Sequence, residues 1–273
     1  MDQLIIHEYH LSIKGVKRTV LYHFSDVHLC LADADSTPSD RERAVTRTES
    51  WKAERLQFAT HHGEPCGEEL QISAEEHLAH LLQEVAKDGD ALVIAGDLFD
   101  FVNEASARAY EHYFADLAIP HLFVCGNHEP KEHIPDGCAL ARIKQPVQTM
   151  ALGGVTVVGF DDSERTITAE QLTALRELLS GGEPLIVAMH IPIQTEQNEV
   201  HLRCDDYFRL NYPGAPRENL EFIELIRQNP DKIAAVLTGH LHFLNTAELA
   251  PGLVQYVSSQ GILGNLNKYI IGE

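Results

Sequence analysis

The sequence is poor in cysteine and in basic residues, and it contains no long apolar run. Its five cysteines are an odd number without the paired spacing of a zinc site, so they predict reduced thiols rather than a disulfide framework. No apolar run approaches the roughly 20 residues that a membrane-spanning helix needs. The first residues also lack the pattern of a signal peptide. We therefore expect no membrane span and a cytoplasmic location.

Basic residues are much less frequent than acidic residues in this chain. Lys and Arg number 21 against 41 Asp and Glu, which gives a formal net charge of -20. A surface of this sign repels the phosphate backbone of nucleic acids, so we do not expect a nucleic-acid partner. A small phosphorylated substrate, held at a locally positive site, is not excluded and is the predicted partner. The sequence carries no signal that predicts an oligomeric state.

What the sequence does contain is a regular alternation of apolar strands and amphipathic helices. Hydrophobic residues make up 44% of the chain, which is enough for a sizeable core. The alternation predicts an α/β architecture with much parallel pairing. A hairpin over residues 3–24, turning at Lys14 and Gly15, and the strands near the end of the chain would add antiparallel pairs. Residues 1–273 are predicted to form a single domain.

Residues 31–72 interrupt this alternation with a long polar stretch. It contains Pro38, Gly63, Pro65 and Gly67, and it includes a predicted helix over about 43–59 that carries the only tryptophan, Trp51. Such a stretch is long for a connection inside a compact domain. Two interpretations stay open: a cap or lid insertion over the site, or a plain surface insertion.

Five short polar stretches each follow an apolar strand at the point where the strand ends. They are Ser25-Asp26-Val27-His28, Gly96-Asp97-Leu98-Phe99-Asp100, Gly126-Asn127-His128-Glu129, Met189-His190-Ile191-Pro192 and Gly239-His240-Leu241-His242. Strand ends line the ligand crevice in open α/β sheets, so these side chains converge if the strands are neighbours. Asn127 and His128 are adjacent on extended backbone and point to opposite sides, which predicts different tasks for them.

The polar side chains of these stretches have the composition of a divalent-metal site. They offer carboxylates, imidazoles and an amide oxygen but no thiolate, a mixture that suits Zn, Fe or Mn. Asp26 and His28, two positions apart on extended chain, can bind the same ion. Seven ligands are too many for one tetrahedral zinc but suit two ions that share a carboxylate. The candidate ligands are Asp26, His28, Asp97, Asn127, His190, His240 and His242.

In this order, the five stretches resemble the calcineurin-like metallophosphoesterase superfamily over residues 19 to 243. The resemblance implies a four-layer α/β/β/α sandwich of two mixed sheets flanked by helices. It also implies two ligand sets that share Asp97, with His128 as the catalytic histidine beside the leaving group. One set is Asp26, His28, Asp97 and His242, and the other is Asp97, Asn127, His190 and His240.

The function that this resemblance implies is a dinuclear metal-dependent phosphohydrolase. Two divalent or trivalent ions (Fe, Mn or Zn) would serve a reaction in which a metal-bridging hydroxide attacks a phosphomonoester or phosphodiester. His128 would stabilise or protonate the departing oxygen. The alternative is a non-catalytic binding or scaffold protein that retains the fold. An oxidative di-iron protein is a poorer match, because such proteins use glutamate-rich helical bundles.

Several other residues near the motifs have two open interpretations. Asp100 and Glu129 either orient a ligand or cap the segment that follows. Four cationic and four aromatic side chains either face the substrate or belong to the surface: Lys131, Arg165, Arg203, Arg209, Trp51, Tyr207, Phe208 and Tyr212. His23 is predicted to pack in the core. The histidines predicted to be solvated are His61, His62, His77 and His80.

Overall fold

The computed structural model of the chain describes residues 3–198 and 208–272. Its helices are α1 (Pro38–His62), α2 (Ala74–Asp88), α3 (Glu104–Phe114), α4 (Ala169–Ser180) and α5 (Arg217–Gln228). Among the described residues, no helix is both long enough and apolar enough to cross a membrane.

The strands form two sheets. The first contains β1 (Ile5–Leu11), β2 (Thr19–Phe24), β3 (Ala91–Ala95), β4 (His121–Val124) and β11 (Asn265–Ile271), in the order β1-β11-β2-β3-β4. The second contains β5 (Val147–Leu152), β6 (Val155–Phe160), β7 (Leu185–Ala188), β8 (Ile233–Thr238), β9 (Asn245–Ala250) and β10 (Leu253–Val257), in the order β5-β6-β7-β8-β10-β9.

Both sheets are mixed, as predicted. Parallel pairs join β2 to β3 and β3 to β4 in the first sheet, and β6, β7, β8 and β10 in the second. Antiparallel pairs join β11 to β2, β5 to β6, and β10 to β9. The parallel strands place successive carboxyl ends along one edge of each sheet, which is where the five polar stretches begin.

The predicted hairpin over residues 3–24 is wrong. A turn does occur at Lys14 and Gly15, but β1 and β2 are not neighbours, because β11 lies between them. β1 pairs with β11 in parallel, and β11 pairs with β2 in the antiparallel sense. The connection over residues 12–18 can extend to about 20 Å, which is ample to pass a strand when neighbouring strands lie about 4.8 Å apart.

The core has three apolar layers, because side chains alternate along each strand. In β3, Leu92 and Ile94 pack with residues of α2 and α3, whereas Val93 faces the second sheet. Residues of α4 and α5, such as Leu175 and Phe222, cover the outer face of the second sheet. Two sheets packed face to face with helices on both outer faces give the predicted four-layer α/β/β/α sandwich.

Helix α2 begins as its sequence predicts, with Ser73 and Glu76 forming a capping box. The prediction that His77 is solvated is wrong, because the short helical turn at residues 68–70 covers it. His77 is buried, and its Nε2 lies 3.0 Å from the carbonyl oxygen of Leu70. His23 is buried in β2, as predicted.

Candidate metal centre

The candidate ligands come from loops of both sheets. Asp26 and His28 follow β2, while Asp97 follows β3 and Asn127 follows β4, all in the first sheet. The remaining candidates are in the second sheet, where His190 follows β7 and both His240 and His242 follow β8. The side-chain atoms of the two groups lie within a few ångströms of one another, so the candidate centre spans the seam between the sheets.

A first cluster is formed by Asp26, His28 and His242. The Oδ1 atom of Asp26 lies 3.2 Å from Nε2 of His242 and 3.7 Å from Nε2 of His28. The two Nε2 atoms are 3.1 Å apart. Asp26 and His28 are fully buried, and His242 reaches the surface with 12% of its side chain.

A second cluster is formed by Asp97, His190 and His240, with Asn127 beside them. The Nε2 atom of His190 lies 3.2 Å from Oδ2 of Asp97, 3.2 Å from Nδ1 of His240 and 3.1 Å from Oδ1 of Asn127. The same Oδ2 atom of Asp97 lies 4.0 Å from Nε2 of His28. Asp97 therefore stands between the two clusters, where a shared carboxylate would have to be.

These distances fit ligands arranged around an ion. Ligand nitrogens in a tetrahedral site with bonds of about 2.0 Å lie about 3.3 Å apart. In addition, the buried Oδ1 of Asp26 has no hydrogen-bond partner among the described residues, although it points at the nitrogens of the first cluster. Burying a carboxylate oxygen without a hydrogen-bond partner costs free energy in the metal-free protein. Such an oxygen is suited to bind a cation.

Burial and charge act in opposite directions on the titratable groups of the second cluster. Burial opposes protonation of His190, but the charges of Asp97 and Asp26 raise its pKa to about 10. Burial also disfavours the Asp97 carboxylate, yet the surrounding histidines hold its pKa below the usual range. Burial and the neighbouring His190 lower the pKa of His240 to about 3. The carboxylates thus favour a positive charge in their midst, which a bound cation can supply.

Five of the seven ligand candidates have left-handed backbone, which side-chain-bearing residues rarely adopt. Their φ angles are 56° at Asp26, 51° at His28, 52° at Asp97, 72° at His240 and 58° at His242. Arg165 is the one other non-glycine residue with positive φ in the described part of the chain. Strained backbone of this kind concentrates at functional sites, where the surrounding structure enforces it.

The turn at Gly126 has no room for a side chain. A Cβ atom at this position would lie 2.1 Å from Oδ1 of Asp97 and 2.5 Å from its backbone nitrogen. The glycine is therefore needed for a close approach between the loops after β3 and β4, and not for an unusual φ angle.

Two buried carboxylates hold the loop backbones that carry the ligand candidates. Glu129 accepts hydrogen bonds from the backbone N–H groups of Asp97, Phe99 and Gly126, at 3.0, 2.9 and 2.7 Å. Asp162 accepts from the N–H groups of His190 and Ile191, at 2.8 and 2.9 Å.

Asp162 was missed by the sequence reasoning. Its only signal was its place at the end of the apolar run that forms β6. Burial raises the pKa of both carboxyls, Glu129 and Asp162, to about 7.

Asp100 and His128 contact each other at the edge of the first cluster. The Nδ1 atom of His128 lies 2.9 Å from the carbonyl oxygen of Asp100 and 3.3 Å from its Oδ1. The same Oδ1 is 3.7 Å from Nδ1 of His28. Burial lowers the pKa of His128, but Asp100 and Asp97 outweigh it and raise that pKa to about 9. Asp100 thus orients the side chains of His128 and His28. This is the first of the two interpretations that the sequence left open for it.

The remaining cationic candidates have their own partners. Lys131 pairs with Asp161, Arg165 lies over the ring of Tyr212 and Arg209 donates to Gln194. Arg203, Tyr207 and Cys204 lie outside the described residues. The four described cysteines are free thiols: Cys30, Cys66, Cys125 and Cys138.

Comparisons with known proteins identify the family of the chain and structures with a similar fold. A family model described as calcineurin-like phosphoesterase matches residues 19–244. A dimetal phosphatase from Danio rerio superposes with a TM-score of 0.56 at 12% identity, over 89% of this chain and 88% of that one. Purple acid phosphatase PPD1 from yellow lupin (Lupinus luteus) seeds superposes with a TM-score of 0.51 at 13% identity, over 92% of this chain and 45% of that one. No curated protein matches the sequence.

Proposed function

Because the chain belongs to the calcineurin-like phosphoesterase family, we propose that it is a dinuclear hydrolase of a phosphomonoester or phosphodiester. The family match confirms the predicted family and, with it, the predicted enzyme class, a metal-dependent phosphoester hydrolase. The observation that carries the finer proposal is the pair of clusters with Asp97 between them, 3.2 Å from His190 and 4.0 Å from His28. The substrate is a small phosphorylated molecule.

We assign the two ion sites as follows. The first would be held by Asp26, His28, Asp97 and His242, and the second by Asp97, Asn127, His190 and His240. The donor set suits Fe, Mn or Zn. When bound, the ions would supply positive charge to the phosphoryl oxygens and a water of lowered pKa.

Charge complementarity supports an anionic substrate. Two divalent ions together with the carboxylates of Asp26 and Asp97 would carry a net charge of about +2. The rest of the molecule is strongly acidic, with a net charge of -20 for the whole chain. A phosphate group is then attracted to this region, whose charge is opposite in sign to that of the molecule as a whole.

His128 is placed to act as the general acid. Its Nδ1 lies 2.9 Å from the carbonyl oxygen of Asp100, so Nε2 is the ring nitrogen that remains for a substrate. The carboxylates of Asp100 and Asp97 raise the pKa of this imidazole, which favours the protonated form that can donate a proton to the departing oxygen. The side chain is 29% exposed, enough to meet a substrate.

The first test combines metal analysis with a substitution at Asp97. We expect close to two ions per chain in the wild-type protein and loss of about one ion in Asp97→Asn, with hydrolysis of an aryl phosphate or phosphodiester reduced at least about 10³-fold. Asp136→Asn, a change at an exposed carboxylate 2.6 Å from Lys144, is the matched control. Full activity of Asp97→Asn would refute the dinuclear proposal.

A panel of phosphoesters then distinguishes the substrate classes. Cyclic nucleotides, nucleotide sugars, phosphopeptides and simple monoesters are each offered with Mn, Fe or Zn. Hydrolysis of one class supports the enzyme and names its substrate. Two tightly bound ions with no turnover of any ester would favour the alternative, a binding or scaffold protein that retains the fold.

A further inference from the structure

Helix α1, which fills most of residues 31–72, docks through one polar and aromatic face. Residues 47, 51, 55 and 59 are four positions apart and share that face. Trp51 and Arg55 are only 4% and 6% exposed, and Ala59 is fully buried. The helix is therefore packed against the sandwich rather than standing free above it.

The same face reaches Asp100. Arg47 donates from Nε to Oδ2 of Asp100 at 2.8 Å and from Nη2 to Oδ1 at 2.9 Å. Trp51 donates from Nε1 to that same Oδ1, also at 2.9 Å. A bidentate guanidinium and an indole together fix both oxygens of a buried carboxylate.

Asp100 in turn faces two imidazoles of the candidate site. Its Oδ1 lies 3.3 Å from Nδ1 of His128 and 3.7 Å from Nδ1 of His28. A carboxylate behind a histidine ligand orients the ring, and its loss commonly weakens metal binding 10- to 100-fold. Here the orientation of that carboxylate depends on side chains from α1.

Helix α1 also contacts the first cluster directly. The ring of Trp51 stacks on the ring of His28, with centroids 4.0 Å apart and planes at 26°. The ring of Phe58 meets that of His242 edge to face at 5.2 Å.

The backbone behind this cluster is tied to α1 as well. Gln260 donates to the carbonyl oxygen of Arg55 at 3.0 Å, and the nearby N–H of Ile262 donates to the carbonyl oxygen of Asp26 at 3.1 Å. Two ligand candidates and the backbone of a third are thus supported from one helix.

We propose that Arg47 and Trp51 are positioning residues of the metal centre, acting on His28 and His128 through Asp100. Helix α1 is then a fixed cap and a constituent of the site, and its docking is coupled to ion binding at Asp26, His28 and His242. A lid that swings away would leave the buried carboxylate of Asp100 without its two α1 partners, which is costly. The proposal rests on the proposed ion sites, but its test does not depend on turnover.

Trp51 provides a direct spectroscopic readout, because it is the only tryptophan in the chain. Titrating metal-free wild-type protein with Zn²⁺ or Mn²⁺ should change the tryptophan emission, since the indole lies against His28. The change in emission should saturate when the ion at Asp26, His28 and His242 has been loaded. Unchanged emission while mass spectrometry shows both ions bound would overturn the coupling between α1 and this cluster.

The decisive variants are Arg47→Met and Arg47→Lys, compared with Arg43→Met. Arg47→Met should raise the dissociation constant of one ion 10- to 100-fold, measured by chelator competition, and Arg47→Lys should restore part of the affinity. Arg43 lies over Phe101, at 4.3 Å, one turn away on the same helix, so Arg43→Met should leave the affinity within twofold of wild type.

Two ions bound at wild-type affinity in Arg47→Met would refute the positioning role. Circular dichroism identifies a variant that has failed to fold, and in that case the less disruptive Arg47→Lys decides the question. It is also possible to separate the two proposals. If no phosphoester is hydrolysed while the metal affinity falls in Arg47→Met as expected, the proposed reaction fails and the positioning role stands.

Discussion

His128 carries the clearest expectation for a single residue. Substitution by Ala should leave both ions bound, because its imidazole lies outside the two ligand sets proposed here. Turnover of esters with poor leaving groups should fall about 10²- to 10⁴-fold, and that of 4-nitrophenyl esters much less, since a good leaving group needs no proton. An equal loss across leaving groups, measured with a series of aryl and alkyl esters, would contradict the acid role.

At the scale of single residues, the sequence predicted which groups gather but not how the backbone presents them. Residue type and order were enough to select Asp97, Asn127 and His190, because few other tasks need carboxylate, amide and imidazole at successive strand ends. The left-handed backbone at His240 and the anchoring role of Asp162 could not be predicted. Both depend on contacts between loops that are far apart in the chain.

Helix α2 and the turn at residues 68–70 bury His77 in its neutral form, which makes stability depend on pH. Burial lowers its pKa from 6.5 to about 4. As the pH falls from 6.5 to 4, His77 therefore binds a proton in the unfolded chain but not in the folded chain. The full contribution is present above pH 6.5, and about 3 kcal/mol of it is lost by pH 4.

Urea unfolding of His77→Gln and of the wild type, at pH 7 and pH 4.5, measures this contribution. The amide side chain can still donate to Leu70, so the variant should be close to wild type at pH 7 and lose less stability in acid. A loss between the two pH values as large as that of the wild type would show that His77 is not a source of the pH dependence. His23, whose pKa burial lowers to about 3, should keep part of the acid sensitivity in both proteins.

At the scale of elements, local signals were reliable and long-range ones were not. The capping box at Ser73 fixed the start of α2, because cap and helix lie within four residues. The helix predicted over about 43–59 extends over Pro38–His62. Its docking face could not be recognised, since Arg47 and Trp51 look like ordinary surface residues until Asp100 is placed beside them. The hairpin failed for the same reason, because its true partner strand, β11, lies more than 240 residues away in the chain.

For the whole molecule, we expect bound metal to contribute to global stability. An ion present at 100 times its dissociation constant adds about 2.7 kcal/mol if it binds only the folded chain. Removing both ions with a chelator should therefore lower the Tm by roughly 5–20 °C, measured by calorimetry. Asp97→Asn should show a smaller shift. A Tm that stays constant while metal analysis confirms removal would contradict this expectation.

Because the proposed centre lies between the two sheets, its ions would also connect the sheets to each other. Each proposed site takes ligands from both sheets, so each ion would cross-link the two halves of the sandwich much as a disulfide would. Asp26 and His242 are 216 positions apart, so an ion bound by both would hold together two loops that are distant in the chain. The spacing of the two ions would then be set by how the sheets pack, so a core substitution far from the loops could alter catalysis by sliding one sheet against the other.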